Sequence, residues 1–182
     1  MNSISKSILV LSSSPRKGGN SDLLCDRFVS GAKEAGHLVE KICLKDKIIR
    51  YCTGCSNCFK GTKVCSQQDD MAEILETMIA ADVIVMATPV YFYTMCAQMK
   101  TLIDRTCARY TEISNKDFYF IISAAVSSSQ EVQRTIEEFR GFTCCLEKPH
   151  EKGIIYGTSA WMIGDIRQSN AMEIAYDMGK TV

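Results

Sequence analysis

Runs of apolar residues alternate along the chain with apolar positions at helical spacing. Ile8 to Leu11 and Val83 to Ala87 are apolar throughout, which predicts two strands buried on both faces of a parallel sheet. Thr88-Pro89 is expected to end the second of these strands. Further strands are predicted at residues 38–44, 118–123 and 154–156.

The segments between these strands predict helices. A first helix is expected to begin at a cap on Asn20 or Ser21 and to end before Gly36. Its core-facing residues are Leu24, Phe28 and Ala32. Asp70 and Glu73 form a capping-box pattern before a second helix. The apolar face of that helix is Met71, Ile74, Leu75, Met78 and Ile79. Three more helices are predicted, at 95–109, after the Ser128 and Glu131 capping box, and at 167–178.

This alternation predicts an α/β fold, a three-layer sandwich around a five-stranded, doubly wound parallel sheet. The chain contains neither an internal repeat nor a linker, so a single domain is expected over residues 1–182. Ligands of such sheets bind beyond the carboxyl ends of the strands. Function is therefore expected in three loops, at 12–20, 88–94 and 124–128.

The loop after the first strand has the composition of an anion site. It reads Ser12-Ser13-Ser14-Pro15-Arg16-Lys17-Gly18-Gly19-Asn20-Ser21 and leads into a helix, whose free amides and dipole favour an anion. The predicted donors to a terminal phosphate are Ser14, Arg16, Asn20 and Ser21. The alternative is a plain turn with a helix cap. The Walker and G-x-G-x-x-G patterns do not occur in the sequence, so triphosphate or classical dinucleotide binding through this loop is disfavoured.

The loop after the strand at 83–87 combines backbone amides with flat apolar surface. It reads Thr88-Pro89-Val90-Tyr91-Phe92-Tyr93. A flavin ring needs both features, because its dimethylbenzene end is apolar and its N5 and carbonyl edge takes hydrogen bonds. The alternative is that these aromatic residues pack in the core or at a dimer interface.

Charge and composition narrow the classes of partner. The 21 basic and 21 acidic residues cancel, which disfavours nucleic acid and anionic membrane surfaces. No apolar run is long enough to span a bilayer, and Met1 to Ser7 is too short and polar for a signal peptide. A cytoplasmic protein without membrane contact is expected. Its ten cysteines are then more typical of thiols, metal ligands or redox groups than of disulfides.

Several motifs together resemble the NADPH-dependent FMN reductase family. They are the segment 14–21, Cys52-x2-Cys55-x2-Cys58 with Cys65, Asp69-Asp70-Met71, Pro89-Val90-Tyr91-Phe92, and Lys100 with Asp104-Arg105. The resemblance implies a flavodoxin-like fold that binds FMN. It implies that the loop from Ser12 to Ser21 holds the phosphate, through Ser12, Ser14, Arg16, Asn20 and Ser21, and that Pro89, Val90, Tyr91 and Phe92 contact the ring.

The same resemblance implies an oxidoreductase. NADPH or NADH would reduce FMN, which would pass electrons to a quinone, free flavin or similar small acceptor. No catalytic side chain is expected, because the flavin performs the bond chemistry, and His37 and His150 lack the setting of a nucleophile's base. Relatives complete the flavin pocket with a second subunit, so a homodimer or a higher homo-oligomer is expected. The alternatives are an electron carrier, disfavoured because flavodoxins are strongly acidic, and a module that has lost its cofactor.

Four cysteines within fourteen residues are candidate metal ligands: Cys52, Cys55, Cys58 and Cys65. Their spacing resembles that of the iron-sulfur flavoproteins, a branch of the family in which a [4Fe-4S] cluster passes electrons to FMN. The bacterial ferredoxin run has a shorter last gap and a following proline, whereas Ser66 follows here. Zinc, and free or redox-active thiols, are the alternatives. The other cysteines are expected to pack as small hydrophobes, namely Cys25, Cys43, Cys96, Cys107, Cys144 and Cys145.

Two positions depart from the family pattern. Ala124-Ala125-Val126-Ser127 stands where relatives have a glycine-rich turn, and Ser13 stands where glycine precedes the Ser-Pro-Arg triplet. Both departures predict reduced affinity for FMN. Lys100, Asp104 and Arg105 are expected to form local ion pairs or a subunit contact.

Overall fold

The fold is described from a computed structural model that covers residues 5–61 and 63–182. Met1 to Ile4, at the N-terminus, and Thr62, between Cys58 and Cys65, are not among these residues. Predictions that fall on them lie outside the described part of the chain. The strands are β1 (Ser7–Ser12), β2 (Leu38–Cys43), β3 (Val83–Tyr91), β4 (Thr94–Met95), β5 (Asp117–Ser123) and β6 (His150–Gly157). The helices are α1 (Asn20–Glu34), α2 (Met71–Ala80), α3 (Ala97–Arg105), α4 (Gln133–Thr143) and α5 (Ala171–Lys180).

Five strands form one parallel sheet in the order β2-β1-β3-β5-β6, and the two-residue strand β4 pairs antiparallel with the end of β3. Counted along the chain, the parallel strands have the order 2-1-3-4-5, which is the flavodoxin-like arrangement. The predicted fold is therefore confirmed. The first strand lies between β2 and β3, where the strand order reverses, so the loop that follows it opens at the topological switch point.

Each face of the sheet carries its own apolar core. Leu9, Leu11, Ile84 and Met86 pack on the face covered by α2, α3 and α4. Ile8, Val10, Val83 and Val85 pack on the face covered by α1 and α5. These alternating sets confirm that the apolar runs are buried on both sides. Within the described part of the chain, no helix is long and apolar enough to cross a membrane.

The strand predicted to end at Thr88-Pro89 continues to Tyr91. Thr88 and Pro89 stay in register with Ile122 and Ser123 of β5, so this boundary prediction is wrong. The Thr88 side chain accepts a hydrogen bond from the backbone amide of Cys96 at 3.0 Å, which holds the hairpin of β3 and β4 against the sheet. Proline is compatible with an extended strand where its missing amide is not needed for pairing.

Helix ends also differ from the sequence prediction. The segment predicted as one helix at 95–109 forms helix α3 only from Ala97 to Arg105, followed by a 3-10 turn at Thr106–Ala108, and the helix predicted at 167–178 runs from Ala171 to Lys180. The capping-box prediction for α2 is wrong, because Asp70 binds the backbone amide of Ile48 at 2.5 Å instead of an amide of its own helix. Asp69 binds the amide of Met71 at 3.2 Å.

Helices α1 and α5 cross at two glycines. A Cβ at Gly179 would overlap the carbonyl oxygen of Phe28 and lie 3.1 Å from the amide of Ala32, and a Cβ at Gly31 would overlap Tyr176 O. We expect Gly179→Ala to lower the free energy of unfolding by about 1–3 kcal/mol, because the helices must move apart. Urea unfolding measures this change.

The matched control is Gly141→Ala in α4, where an added Cβ meets no atom of the described residues within 4 Å. This variant gains helix propensity and is expected to be neutral or up to about 1 kcal/mol more stable. Equal effects at the two positions would contradict the close helix crossing.

Candidate functional site

A cavity of about 150 Å³ opens at the carboxyl ends of β1, β3, β5 and β6. Residues from all three predicted loops and from the loop after β6 line it: Ser14, Arg16, Gly19, Asn20, Ser21, Pro89, Val90, Tyr91, Ser123, Ala124, Ala125, Ala160 and Trp161. The tertiary structure thus brings together seven of the nine predicted cofactor residues; Ser12 and Phe92 lie off this wall.

The first loop presents unused donors to the cavity. Helix α1 begins at Asn20, and no side chain among the described residues caps its first amides. The Ser21 hydroxyl is buried and, within residues 5–61 and 63–182, has no hydrogen-bond partner. Ser14 Oγ accepts from the amide of Arg16 at 3.2 Å and donates to the carbonyl oxygen of the same residue at 3.0 Å. A buried orphan hydroxyl at an uncapped helix start fits an anion with several acceptor oxygens.

A glycine makes room for this arrangement. A Cβ at Gly19 would overlap Ser14 Oγ and lie 3.2 Å from Arg16 O. Only a residue without a side chain therefore lets the loop fold tightly over the start of α1.

Ser12 supports the loop from below. Its hydroxyl donates to Asp22 Oδ1 at 2.8 Å, and Asp22 also accepts from the amide of Gly18 at 3.3 Å and pairs with Lys41 at 2.6 Å. Burial acts to raise the pKa of Asp22, but the bonds from Lys41 and Ser12 outweigh it and hold the pKa below its ordinary value. The charged carboxylate fixes the shape of the loop, and Lys41 offsets its negative charge.

Asn20 joins the first loop to the loop after β6. Its Nδ2 donates to the carbonyl oxygen of Met162 at 2.9 Å, and its Oδ1 accepts from the amide of Gly164 at 3.0 Å. The side-chain amide predicted as a phosphate donor is thus engaged with Met162 and Gly164. The same bonds bring Trp161 to the rim of the cavity.

The second loop forms the apolar edge of the cavity. Pro89, Val90 and Tyr91 line it, whereas Phe92 points away with 98 % of its surface exposed. Phe92 and Tyr93 have φ angles of 52° and 63°, in the left-handed region that bulky residues rarely adopt.

Sequence reasoning missed Trp161. It lies in the loop after the last strand, and the rule that ligands bind beyond the strand ends applies to that loop as well. The signal was available in the sequence, because Trp161 is the one tryptophan of the chain and follows the last predicted strand, at 154–156.

The four candidate metal ligands are exposed or partly exposed. Cys52 and Cys55 are exposed, and all ten cysteines are free thiols. The hydrogen bond between Cys55 Sγ and Ser66 Oγ, at 3.4 Å, lowers the pKa of the Cys55 thiol. Among the described residues, no group of three or more His, Cys, Asp or Glu side chains is placed to hold a metal ion. As they stand, Cys58 and Cys65 do not complete a preformed iron-sulfur or zinc site with the other two.

The remaining six cysteines divide into three groups, of which Cys43 and Cys107 are partly buried. Cys25 and Cys96 are buried, which confirms their prediction as small core residues. Cys144 and Cys145 are exposed after the end of α4, so their prediction is wrong: the helix ends before them and leaves no core face to occupy.

The predicted local ion pairs are confirmed only in part. Lys100 and Asp104 pair one turn apart on α3. Arg105 instead binds Asp69, 36 residues away, through two nitrogens at 2.7 and 2.9 Å, with both side chains almost fully buried. The fold, not the helix spacing, selects this partner.

The sequence of the chain is similar to a known protein family and to several curated proteins. Residues 7–142 match the family described as NADPH-dependent FMN reductase. An iron-sulfur flavoprotein of Archaeoglobus fulgidus is 37 % identical over 123 residues, which are 65 % of this chain and 55 % of that protein. A putative NAD(P)H-dependent FMN-containing oxidoreductase of Bacillus subtilis is 30 % identical over 99 residues, 54 % of this chain and 50 % of that protein. The chain spans about half the length of the curated relatives it matches.

Solved structures share the fold. The NAD(P)H:quinone oxidoreductase of Methanothermobacter marburgensis superposes with a TM-score of 0.73 at 18 % identity, covering 98 % of this chain and 97 % of that one. An FMN-dependent NADH-azoreductase of Bacillus anthracis, solved in complex with FMN, has a TM-score of 0.73 at 14 % identity and covers 96 % and 98 %. With three quarters of its length matched by the family and its sheet in flavodoxin-like order, the chain belongs to the NADPH-dependent FMN reductase family.

Proposed function

We propose that this chain is an FMN-dependent NAD(P)H oxidoreductase that passes electrons to a quinone, a free flavin or a similar small acceptor. One observation carries the proposal. The same cavity joins an anion site at the start of α1, with the unpartnered Ser21 hydroxyl, to an apolar edge at Pro89 and Val90. A flavin mononucleotide has this pair of features, a phosphate and a flat ring.

The residues of the first loop would hold the phosphate. Ser21 Oγ has no hydrogen-bond partner among the described residues and is free to donate to the phosphate. The first amides of α1 contribute the positive end of the helix dipole. Arg16, on the wall of the cavity, contributes a guanidinium. Ser14 keeps the loop closed through the backbone of Arg16. In this proposal Ser12 and Asn20 shape the site rather than bind the phosphate, since their side chains are engaged elsewhere.

The strand ends would hold the ring. Pro89, Val90 and Tyr91 offer apolar contacts, and Trp161 lines the same cavity. When bound, FMN supplies the hydride and electron transfer chemistry, so the protein contributes orientation and exclusion of water. Ala124 and Ala125 present small side chains where they line the cavity, which leaves space for the ring edge.

We also propose a single-domain chain that acts as a cytoplasmic homodimer. The support for a dimer is the exposed aromatic surface of Phe92, Tyr93 and Trp161, which are 98 %, 46 % and 73 % exposed and would be covered by a second subunit. The support for the cytoplasm is ten free thiols, which are typical of a reducing compartment.

Anaerobic flavin titration tests the proposal. The purified chain is expected to bind FMN more tightly than riboflavin, since only FMN has the phosphate, and the bound flavin is expected to bleach on mixing with NADPH or NADH. A menadione or FMN acceptor should then restore the oxidised spectrum. A chain that binds neither flavin, or whose flavin stays oxidised with both nucleotides, would contradict the proposed function.

A second candidate is a carrier of electrons between proteins. It is favoured by the relatives named iron-sulfur flavoproteins, one of them 37 % identical. In that case dithionite, but neither nicotinamide nucleotide, would reduce the flavin. An anaerobic preparation would also show a brown iron-sulfur spectrum if Cys52, Cys55, Cys58 and Cys65 come together to bind a cluster.

A further inference from the structure

A second cavity lies between α2, the end of α3 and the segment 63–67. Its volume is about 220 Å³, and the residues described on its wall are separate from those of the first cavity. An apolar cavity of about 150 Å³ is large enough to bind benzene. The second cavity therefore has room for a substituted ring.

The wall of this cavity contains a buried donor that the fold does not use. The Arg105 side chain is 2 % exposed, and its two terminal nitrogens bind Asp69. One of them also donates to the carbonyl oxygen of Arg50 at 2.6 Å. The third nitrogen, Nε, has no hydrogen-bond partner in the part of the chain that the structure describes, and the Cys65 side chain interacts with the same guanidinium. Buried donors are almost always paired, so an orphan on a cavity wall indicates a missing acceptor.

The charges around the cavity favour a neutral acceptor over an anion. Lys63 and Arg109 pair with Glu112 at 3.5 and 2.8 Å, and Arg109 also binds Glu76. The positive charge of Arg105 is already neutralised by Asp69. Since each cation on the wall has a carboxylate partner, an anionic ligand would lose its hydration without meeting an uncompensated charge.

The rest of the wall is mostly apolar, from Val64, Met71, Ala72, Leu75 and Ala108. We propose that this cavity binds a neutral carbonyl compound with an apolar body, whose oxygen accepts a hydrogen bond from Arg105 Nε. Cys65 lies on the same wall, so the bound ligand covers its thiol. This site is independent of the proposed flavin site.

Two small probes of nearly the same shape test the hydrogen bond. Acetophenone carries a carbonyl oxygen where α-methylstyrene carries a methylene group. Titrated into the full chain with FMN present in excess, acetophenone is expected to bind about tenfold more tightly, because only it can accept from a charged donor. In ¹⁵N-labelled protein the Arg105 Nε–H resonance is expected to shift with acetophenone and to stay in place with α-methylstyrene.

Two leucine variants of α2 locate the site without removing the buried ion pair. Ala72→Leu fills the cavity and is expected to weaken acetophenone binding at least about tenfold. Ala80→Leu lies on the same helix outside the cavity wall and should leave binding unchanged. Acetophenone is also expected to slow the labelling of Cys65 by iodoacetamide but not that of the exposed Cys144.

Equal affinity for the two probes, or an Arg105 Nε–H signal that ignores acetophenone, would overturn the proposal. Binding that Ala72→Leu and Ala80→Leu weaken alike would overturn it too, because the ligand would then lie elsewhere. These results do not depend on whether the chain reduces its flavin, so a failure of the oxidoreductase proposal would be seen separately.

Discussion

Asp69→Asn is expected to lower the free energy of unfolding by about 3–5 kcal/mol, because it leaves the buried Arg105 cation without its counter-charge. Both side chains of the pair are at most 2 % exposed. Asp69 also accepts from the backbone amides of Arg50 and Met71, at 3.0 and 3.2 Å. The carboxylate therefore joins the backbone at Arg50 to the start of α2 and the end of α3. Urea unfolding with an unchanged m-value measures the loss.

The control is Asp104→Asn, on the same helix as Arg105. Asp104 pairs with Lys100 at the surface, and exposed pairs of this spacing contribute about 0.3–0.5 kcal/mol. A loss below about 1 kcal/mol for Asp69→Asn would show that the buried pair does not stabilise the fold.

The pair also predicts a pH dependence. Burial acts to raise the pKa of Asp69, but the hydrogen bonds from Arg105, Arg50 and Met71 hold the pKa below its ordinary value. Stability from this group is therefore fully present above the unfolded carboxyl pKa of about 3.9 and is lost as the pH falls through the lowered value. Acid titration of the wild-type chain should show this loss below about pH 4. The decline should be shallower in Asp69→Asn.

Ser21→Ala is expected to weaken FMN binding about tenfold or more, because the hydroxyl would donate to a charged phosphate. The stability of the protein without ligand should not fall, since the hydroxyl has no partner among the described residues. Fluorescence titration gives the first quantity and urea unfolding the second. This combination of weaker binding and unchanged folding separates a ligand-binding hydroxyl from a structural one.

Riboflavin provides a matched ligand control. It lacks the phosphate, so its affinity should be the same for the wild-type chain and for Ser21→Ala. Arg16→Ala is expected to weaken FMN in the same selective way, whereas Lys17→Ala, next to it but off the cavity wall, should not. If Ser21→Ala weakened both flavins equally, the phosphate would not lie at the start of α1.

Local patterns predicted most of the fold and part of the candidate site. The apolar runs at Ile8 to Leu11 and Val83 to Ala87 identified the central strands because burial on both faces leaves no polar position within the run. The polar loop between β1 and α1 indicated the candidate anion site, because the unpaired backbone amides at the start of a helix need acceptors. The sheet then placed that loop beside Pro89 and Val90, as the strand order requires.

The sequence by itself determined the order of strands and helices along the chain and the loop that carries the candidate anion site, because apolar periodicity and helix starts are properties of neighbouring residues. Only the tertiary structure decided that Asp69 pairs with Arg105 and that the bonds of Asn20 bring Trp161 to the cavity. Each of these depends on contacts between residues far apart in the chain. Such contacts exist only after the helices have packed on the sheet, and spacing along the sequence carries no record of them.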